Sequence, residues 1–148
     1  MKSPPISSHF LSATDDIERL LLARRNKAEH IVGLLRPILN GNNIRSVMSI
    51  GSSYCLIEER MQRDLVPDTE FICTDVDALA LYHFDQPGLT KRVLSATELD
   101  YPDAAFDLII AHQVLEHING FPGILERLRY LCRIGGSSTS TFRIRCPR

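Results

Sequence analysis

The sequence predicts an α/β fold: a three-layer α/β/α sandwich built on a mostly parallel sheet. Three observations carry this. Short apolar runs, each of a length suited to a buried strand, occupy residues 45–50, 70–75 and 106–111. Segments with helical apolar spacing lie between them, and strands that alternate with helices imply parallel pairing covered on both faces. The chain of 148 residues is also the right size for one core.

The elements follow in order. Residues 1–11 hold Pro4, Pro5 and three serines and read as a flexible lead-in, so the domain is expected to span 12–148. A long helix comes next. Ser12 or Thr14 is its expected cap, with Asp15 and Asp16 at the positive end of its dipole. Ile17, Leu20, Leu21, Ala28, Ile31, Leu35, Ile38 and Leu39 form one apolar stripe along it. Pro37 should kink its last turn, and Asn40-Gly41-Asn42 should stop it. The strand at 45–50 ends on Gly51, and a helix follows over 56–64. The strand at 70–75 ends on an acid and leads into a helix over 76–83. Residues 92–95 form a weak third strand, and 106–111 the clearest one. A helix over 122–133 buries Ile124, Leu125, Leu128, Leu131 and Cys132 and closes at Gly135-Gly136, with one more strand expected around 141–144. In such a sheet the ligand belongs at the carboxyl ends of the strands, near the switch point of strand order.

Composition narrows the functional classes. The net charge of -1, with acids and bases interspersed, gives no nucleic-acid signal. The acid-free run of arginines from Arg127 onward reads as a solvated helix face and a basic tail. No apolar run reaches membrane-spanning length, and the opening residues lack a secretory pattern, so a cytoplasmic protein is expected. Cys55, Cys73, Cys132 and Cys146 are scattered without metal-ligand spacing, which predicts free thiols and no metal site.

Several motifs, in order and at matching spacing, resemble class I S-adenosylmethionine-dependent methyltransferases of the type 11-like, Rossmann-like kind. They are VMSIGSSYC (47–55), ATELDYPD (96–103), FDLIIAHQVLEHI (106–118), Leu125-Glu126 and RIGG (133–136). The resemblance implies methyl transfer, with S-adenosyl-L-methionine as the donor, to an acceptor that the sequence does not identify. It also implies a donor site made of Ser49, Gly51, Ser52, Ser53, Asp75, Val76, Ser95, Ala96 and His112. Asp75 would grip the ribose hydroxyls, unless it or Asp77 merely caps the next helix. Ser49 stands where the family carries an acid, Ser53 and Cys55 where it carries glycines, and Ser95 where an acid reads adenine. Glu58 or Glu59 is a candidate substitute for the missing carboxylate. His112 is a candidate base toward an acceptor hydroxyl or amine, although a lining role through its backbone is the plainer reading. Asp107 is expected in local hydrogen bonding, His117 in packing or capping, and Glu126 on a solvated or salt-bridged face.

The chain stops twelve residues after Gly136, so the sheet is expected to lack its C-terminal strands and to end at a fourth or frail fifth. A fragment, a truncated product or a subunit needing a partner would fit. The open edge would suit a protein partner or self-association. A catalytically inactive binding or scaffold subunit is the alternative function. A nicotinamide-dependent oxidoreductase is disfavoured, because no G-x-G-x-x-G occurs.

Overall fold

The computed structural model describes residues 8–140 and 143–145, with side chains described over 15–133 except Phe121. The elements, in chain order, are α1 (Ser8–Asn40), β1 (Ser46–Ile50), α2 (Leu56–Asp64), β2 (Glu70–Asp75), α3 (Ala78–Leu81), β3 (Leu89–Val93), β4 (Phe106–Ala111), α4 (Phe121–Leu131), β5 (Cys132–Ser140) and β6 (Arg143–Arg145). Short 3-10 turns occupy Ala96–Glu98 and Leu115–His117.

The strand order is β3-β2-β1-β4-β5-β6. Pairing is parallel from β3 to β5, and β6 runs antiparallel to β5. The expected three-layer, mostly parallel sandwich is therefore the observed fold. Order reverses at β1, which sits between β2 and β4, and this fixes the switch point beside Ile50 and Ala111.

Strand periodicity divides the core between the two faces. Val47, Phe71, Cys73, Leu108 and Ile110 pack under α1 and α2 with Val32, Leu35, Leu39 and Met61. Met48, Ile50, Ile109 and Ala111 face the other way, against Ile124, Leu128 and Leu131 of α4. All six residues of β4 are buried. A strand covered on both sides has no need of polar alternation, which is why its sequence is a continuous apolar run.

Several expectations are corrected. α1 begins at Ser8, so residues 8–11 belong to it, and 1–7 lie outside the described residues. The strong breakers, Pro4 and Pro5, lie upstream of Ser8, and nothing after them prevents helix. Ser12 and Thr14 are therefore internal to the helix and do not cap it, and no acid occupies its first turn. The apolar stripe is buried only from Ala28 onward; Ile17 and Leu20 are 57% and 48% exposed. Pro37 is accommodated inside α1, and Asn42 closes the end by donating its Nδ2 to the carbonyl of Ile38 at 2.7 Å.

β3 lies at 89–93, earlier than expected, because Phe71 to Asp75 of β2 pair with Leu89 to Val93. α3 is shorter than the sequence suggested, and Asp77 starts it by accepting from the N–H of Leu79 and Ala80. At the C-terminal side, α4 ends at Leu131 and the chain becomes extended at Cys132, so Gly135-Gly136 lies within β5 and does not close the helix. The reason is the register. Phe106 pairs with Cys132, but Leu108 pairs with Ser137, so the residues between are an irregular outpouching of the strand. The expected turn survives there as a bulge. The sheet also continues past β4 with a nine-residue β5 and with β6, not a frail fifth strand at 141–144.

Candidate functional site

The site grows from the loop between β1 and α2. Gly51 has φ +70°, and a Cβ there would stand 2.8 Å from Val114. Glycine is required twice over, by conformation and by space. Ser53 and Cys55 also hold positive φ, 49° and 54°, although each carries a side chain. Left-handed backbone costs such residues roughly 1–2 kcal/mol apiece. The loop thus keeps a glycine-like path through two residues that are not glycine.

Hydrogen bonds hold it there. The Ser52 N–H donates to Thr74 O at 3.0 Å, and the Cys55 N–H to Ser52 O at 2.8 Å. Asp75, at the end of β2, accepts the Ser53 N–H on Oδ2 at 2.7 Å and the Asp77 N–H on Oδ1 at 2.9 Å. Asp77, not Asp75, caps α3.

A cavity of about 370 Å³ opens at the carboxyl ends of β1 and β4. Ser49, Gly51, Ser52, Ser53 and His112 all line it, so the structure brings together five of the nine site residues expected from the sequence. Asp75 adjoins it through Ser53. Val76 is 71% exposed, and Ser95 and Ala96 sit past β3; none of these three lines the cavity. Ser95 is engaged in a capping box with Glu98: its Oγ accepts the Thr97 N–H, and its own N–H donates to the Glu98 carboxylate.

Two polar atoms at the cavity are buried without a partner. One is His112 Nε2, on a half-buried ring whose pKa is lowered by burial and then by the Lys27 charge, so the imidazole is neutral around neutral pH. The other is Oε2 of Glu58. Glu58 is 1% exposed, and its Oε1 accepts from Ser49 Oγ. Burial pushes its carboxyl up, against hydrogen bonds from Ser49, its own backbone and Ser52, with the Asp75 charge adding to the rise. Of the two candidate acids, Glu58 therefore enters the site, while Glu59 turns to Gln86.

Sequence reasoning missed the contribution of α1. Arg24 and Lys27 line the cavity together with Ala28 and Ile31. Arg24 donates to Ser53 Oγ at 3.0 Å and stacks 4.8 Å over the Tyr54 ring; Lys27 donates to Gln113 Oε1. Their spacing of 24, 27, 28 and 31 is one helical face, but nothing in the spacing says that this face meets a cavity. Asp107 does the expected local work, accepting the N–H groups of Arg45 and Ser46 on Oδ2 at 2.9 and 3.1 Å. Two of the arginines expected to be solvated also form ion pairs while remaining partly or fully exposed: Arg127 with Asp103 and Arg133 with Asp107. His117 is the exposed last residue of the 3-10 turn Leu115–His117, whose cap is Ile118, so it neither packs nor caps as expected; Glu126 is exposed. Cys55 and Cys73 are free and buried, and Cys132 is buried; Cys146 lies outside the described residues. Among the described residues no cluster of His, Cys, Asp or Glu could hold a metal, and no helix is long and apolar enough to cross a membrane.

Comparison with known proteins gives a family and a fold. The sequence pattern of a family described as a methyltransferase domain matches residues 49–139. No curated protein matches the chain. Among solved structures, the [4+2]-cyclase SpnF is similar with a TM-score of 0.62 at 16% identity, over 74% of this chain and 42% of its own. The YcgJ protein of Bacillus subtilis gives 0.59 at 16% identity, over 74% and 49%. The Haemonchus contortus phosphoethanolamine N-methyltransferase 2, in complex with phosphomonomethylethanolamine and S-adenosylhomocysteine, gives 0.57 at 15% identity, over 64% and 23%. At these identities the likeness is one of fold, and the chain spans less than half the length of each.

Proposed function

The chain belongs to the methyltransferase-domain family, and on that premise we propose that it is an S-adenosylmethionine-dependent methyltransferase whose donor site is the cavity at the carboxyl ends of β1 and β4. The observation that carries this reading is the loop at 51–55. It holds left-handed backbone at Gly51, Ser53 and Cys55, a strained arrangement of the sort that persists where a ligand needs it. The donor fits the polar atoms present, because two buried groups, His112 Nε2 and Glu58 Oε2, face the cavity with their hydrogen-bonding capacity unused.

In this reading Ser49, Gly51, Ser52 and Ser53 hold the donor on the loop side. Asp75 receives the ribose hydroxyls, and Val76, Ser95 and Ala96 border the adenine. Each Asp75 oxygen accepts one backbone N–H and keeps further acceptor capacity for a hydroxyl. The bound donor would supply a methyl group already activated on a sulfonium. What remains for the protein is alignment of an acceptor and removal of its proton. The neutral His112 ring suits the second task, accepting at Nε2 the proton of an acceptor hydroxyl or amine. The free thiols of Cys55 and Cys73 support a reducing compartment, the cytoplasm.

A second reading, a methyltransferase-like module that binds without catalysing, is favoured by Ser95. Its hydroxyl and N–H are spent in a capping box with Glu98. Such a module would engage a protein partner or another copy of itself through a sheet edge.

The test of the donor site is Asp75→Ala. S-Adenosylmethionine should raise the thermal midpoint of the wild type, and the variant, verified as folded by circular dichroism, should bind at least about tenfold more weakly. Equal affinity in the two proteins would sink the assignment of Asp75. A methyl-labelled donor offered with hydroxyl and amine acceptors then separates enzyme from binding module.

A further inference from the structure

β3 is one edge of the sheet, paired on a single side with β2. Its register fixes which of its backbone groups are unused. The Leu94 N–H donates to the Asp75 carbonyl at 3.0 Å, so Thr90, Arg92 and Leu94 turn their N–H and C=O groups toward β2. Leu89, Lys91 and Val93 alternate with them and turn theirs outward. The Leu89 N–H is taken by the Gln86 carbonyl at 3.0 Å, and the Lys91 carbonyl by the Tyr82 hydroxyl at 3.0 Å. The N–H groups of Lys91 and Val93 and the Val93 carbonyl are left. Among the described residues none of the three meets a partner in a loop or turn.

Two further features lie along this edge. One is apolar. Leu79 and Tyr82, one helical turn apart, and Val93 are 87%, 58% and 51% exposed. Leu81 of α3 and Leu89 of β3 pack in one cluster, so Val93, on the same strand face as Leu89, lies on the α3 side of the sheet. Large apolar side chains grouped beside an unpaired strand mark a contact surface. The other feature is charge. Lys91 donates its Nζ to the Phe84 carbonyl at 2.8 Å, and Arg92, on the opposite strand face, lies 5.8 Å from the centre of the Tyr101 ring. Among the described residues neither forms a salt bridge.

The two cations decide what kind of strand fits. An antiparallel pairing with β3 of a second copy would set Lys91 opposite Lys91 or Arg92 opposite Arg92, and like charges directly opposite are destabilising. They keep copies of this chain apart and leave an acidic strand free to pair. We propose that β3 accepts an extended segment of a partner protein as a further strand of the sheet, a segment in which aspartate or glutamate alternates with apolar side chains. Its backbone would bond the outward groups of Lys91 and Val93. Its apolar side chains would pack on Val93, Tyr82 and Leu79, and its carboxylates would meet Arg92 on the other face. Nothing in this interaction draws on the donor cavity, so it stands or falls apart from the function proposed above.

The experiment is an NMR titration of the full chain with two short synthetic peptides, one alternating valine with aspartate and the other valine with lysine. In the free chain the N–H groups of Lys91 and Val93 should exchange with solvent quickly, and those of Thr90, Arg92 and Leu94 slowly. The aspartate peptide should shift and protect Lys91 and Val93, and should bind at least about tenfold more tightly than the lysine peptide. Arg92→Glu should reverse that preference. Equal affinity for the two peptides overturns the proposal, as does the absence of any shift along β3 with the aspartate peptide at millimolar concentration. Protection of Lys91 and Val93 in the chain alone that grows with protein concentration would show a second copy on this edge and would also overturn it. The preference between peptides is read on the wild type, so the result decides even where Arg92→Glu does not fold.

Discussion

Gly51, Ser53 and Cys55 share a backbone conformation but not a side chain, and the difference can be weighed residue by residue. Gly51→Ala combines a left-handed L-residue with a clash against Val114 and should cost about 2–4 kcal/mol. Ser53→Gly removes a strained Cβ and loses an exposed bond to Arg24. It should leave stability unchanged or raise it by up to about 1 kcal/mol, where Gly at an ordinary loop position would lower it. Denaturant melts of the two variants measure both; a loss above about 1 kcal/mol for Ser53→Gly contradicts the strain at that position. At this scale the sequence announced Gly51, Asp75 and His112 through their places at strand ends. It did not announce which acid would reach Ser49, since Glu58 and Glu59 are adjacent and only the packing of α2 selects one. Arg24 and Lys27 were hidden for another reason. Two basic residues on a polar helix face look solvated until the helix is known to cross a cavity.

At the amino ends of β1 and β4, opposite the cavity, Asp107 ties β1, β4 and β5 together. Its carboxylate accepts the N–H groups of Arg45 and Ser46 and pairs with Arg133 at the start of β5. Burial works to raise its pKa, but the hydrogen bonds from Arg45 and Ser46 and the Arg133 charge outweigh it, so the group lies below the usual carboxylate range. A depressed carboxyl stabilises the fold above its unfolded pKa and loses that contribution as pH falls through its folded pKa. Asp107→Ala should therefore cost about 2–3 kcal/mol at neutral pH, and acid titration of stability should flatten in the variant; a wild-type acid slope left intact would contradict this. β1, β2 and β4 were legible as apolar runs because the sheet buries them on both faces. β3 was misplaced because Lys91 and Arg92 make an edge strand look like loop. β5 was read as helix end and turn because Gly135-Gly136 signals a stop locally, while register with β4 is a long-range property that no local signal carries.

For the whole molecule, the arrangement that matters is the reversal of strand order at β1. It sets the ends of β1 and β4 side by side, puts the left-handed loop and His112 on one cavity and lays α1 across its mouth. That much followed from the alternation of strands and helices. The contribution of α1 did not, because only the packed structure shows which face of a long helix meets the site. In the proposed function this cavity binds a methyl donor. The most direct measurement is calorimetric titration of folded, monodisperse wild-type protein with S-adenosylmethionine. Saturable binding at one site per chain, competed by S-adenosylhomocysteine, is the expected result. A folded protein that gives no heat and gains no thermal stability from either ligand would contradict it.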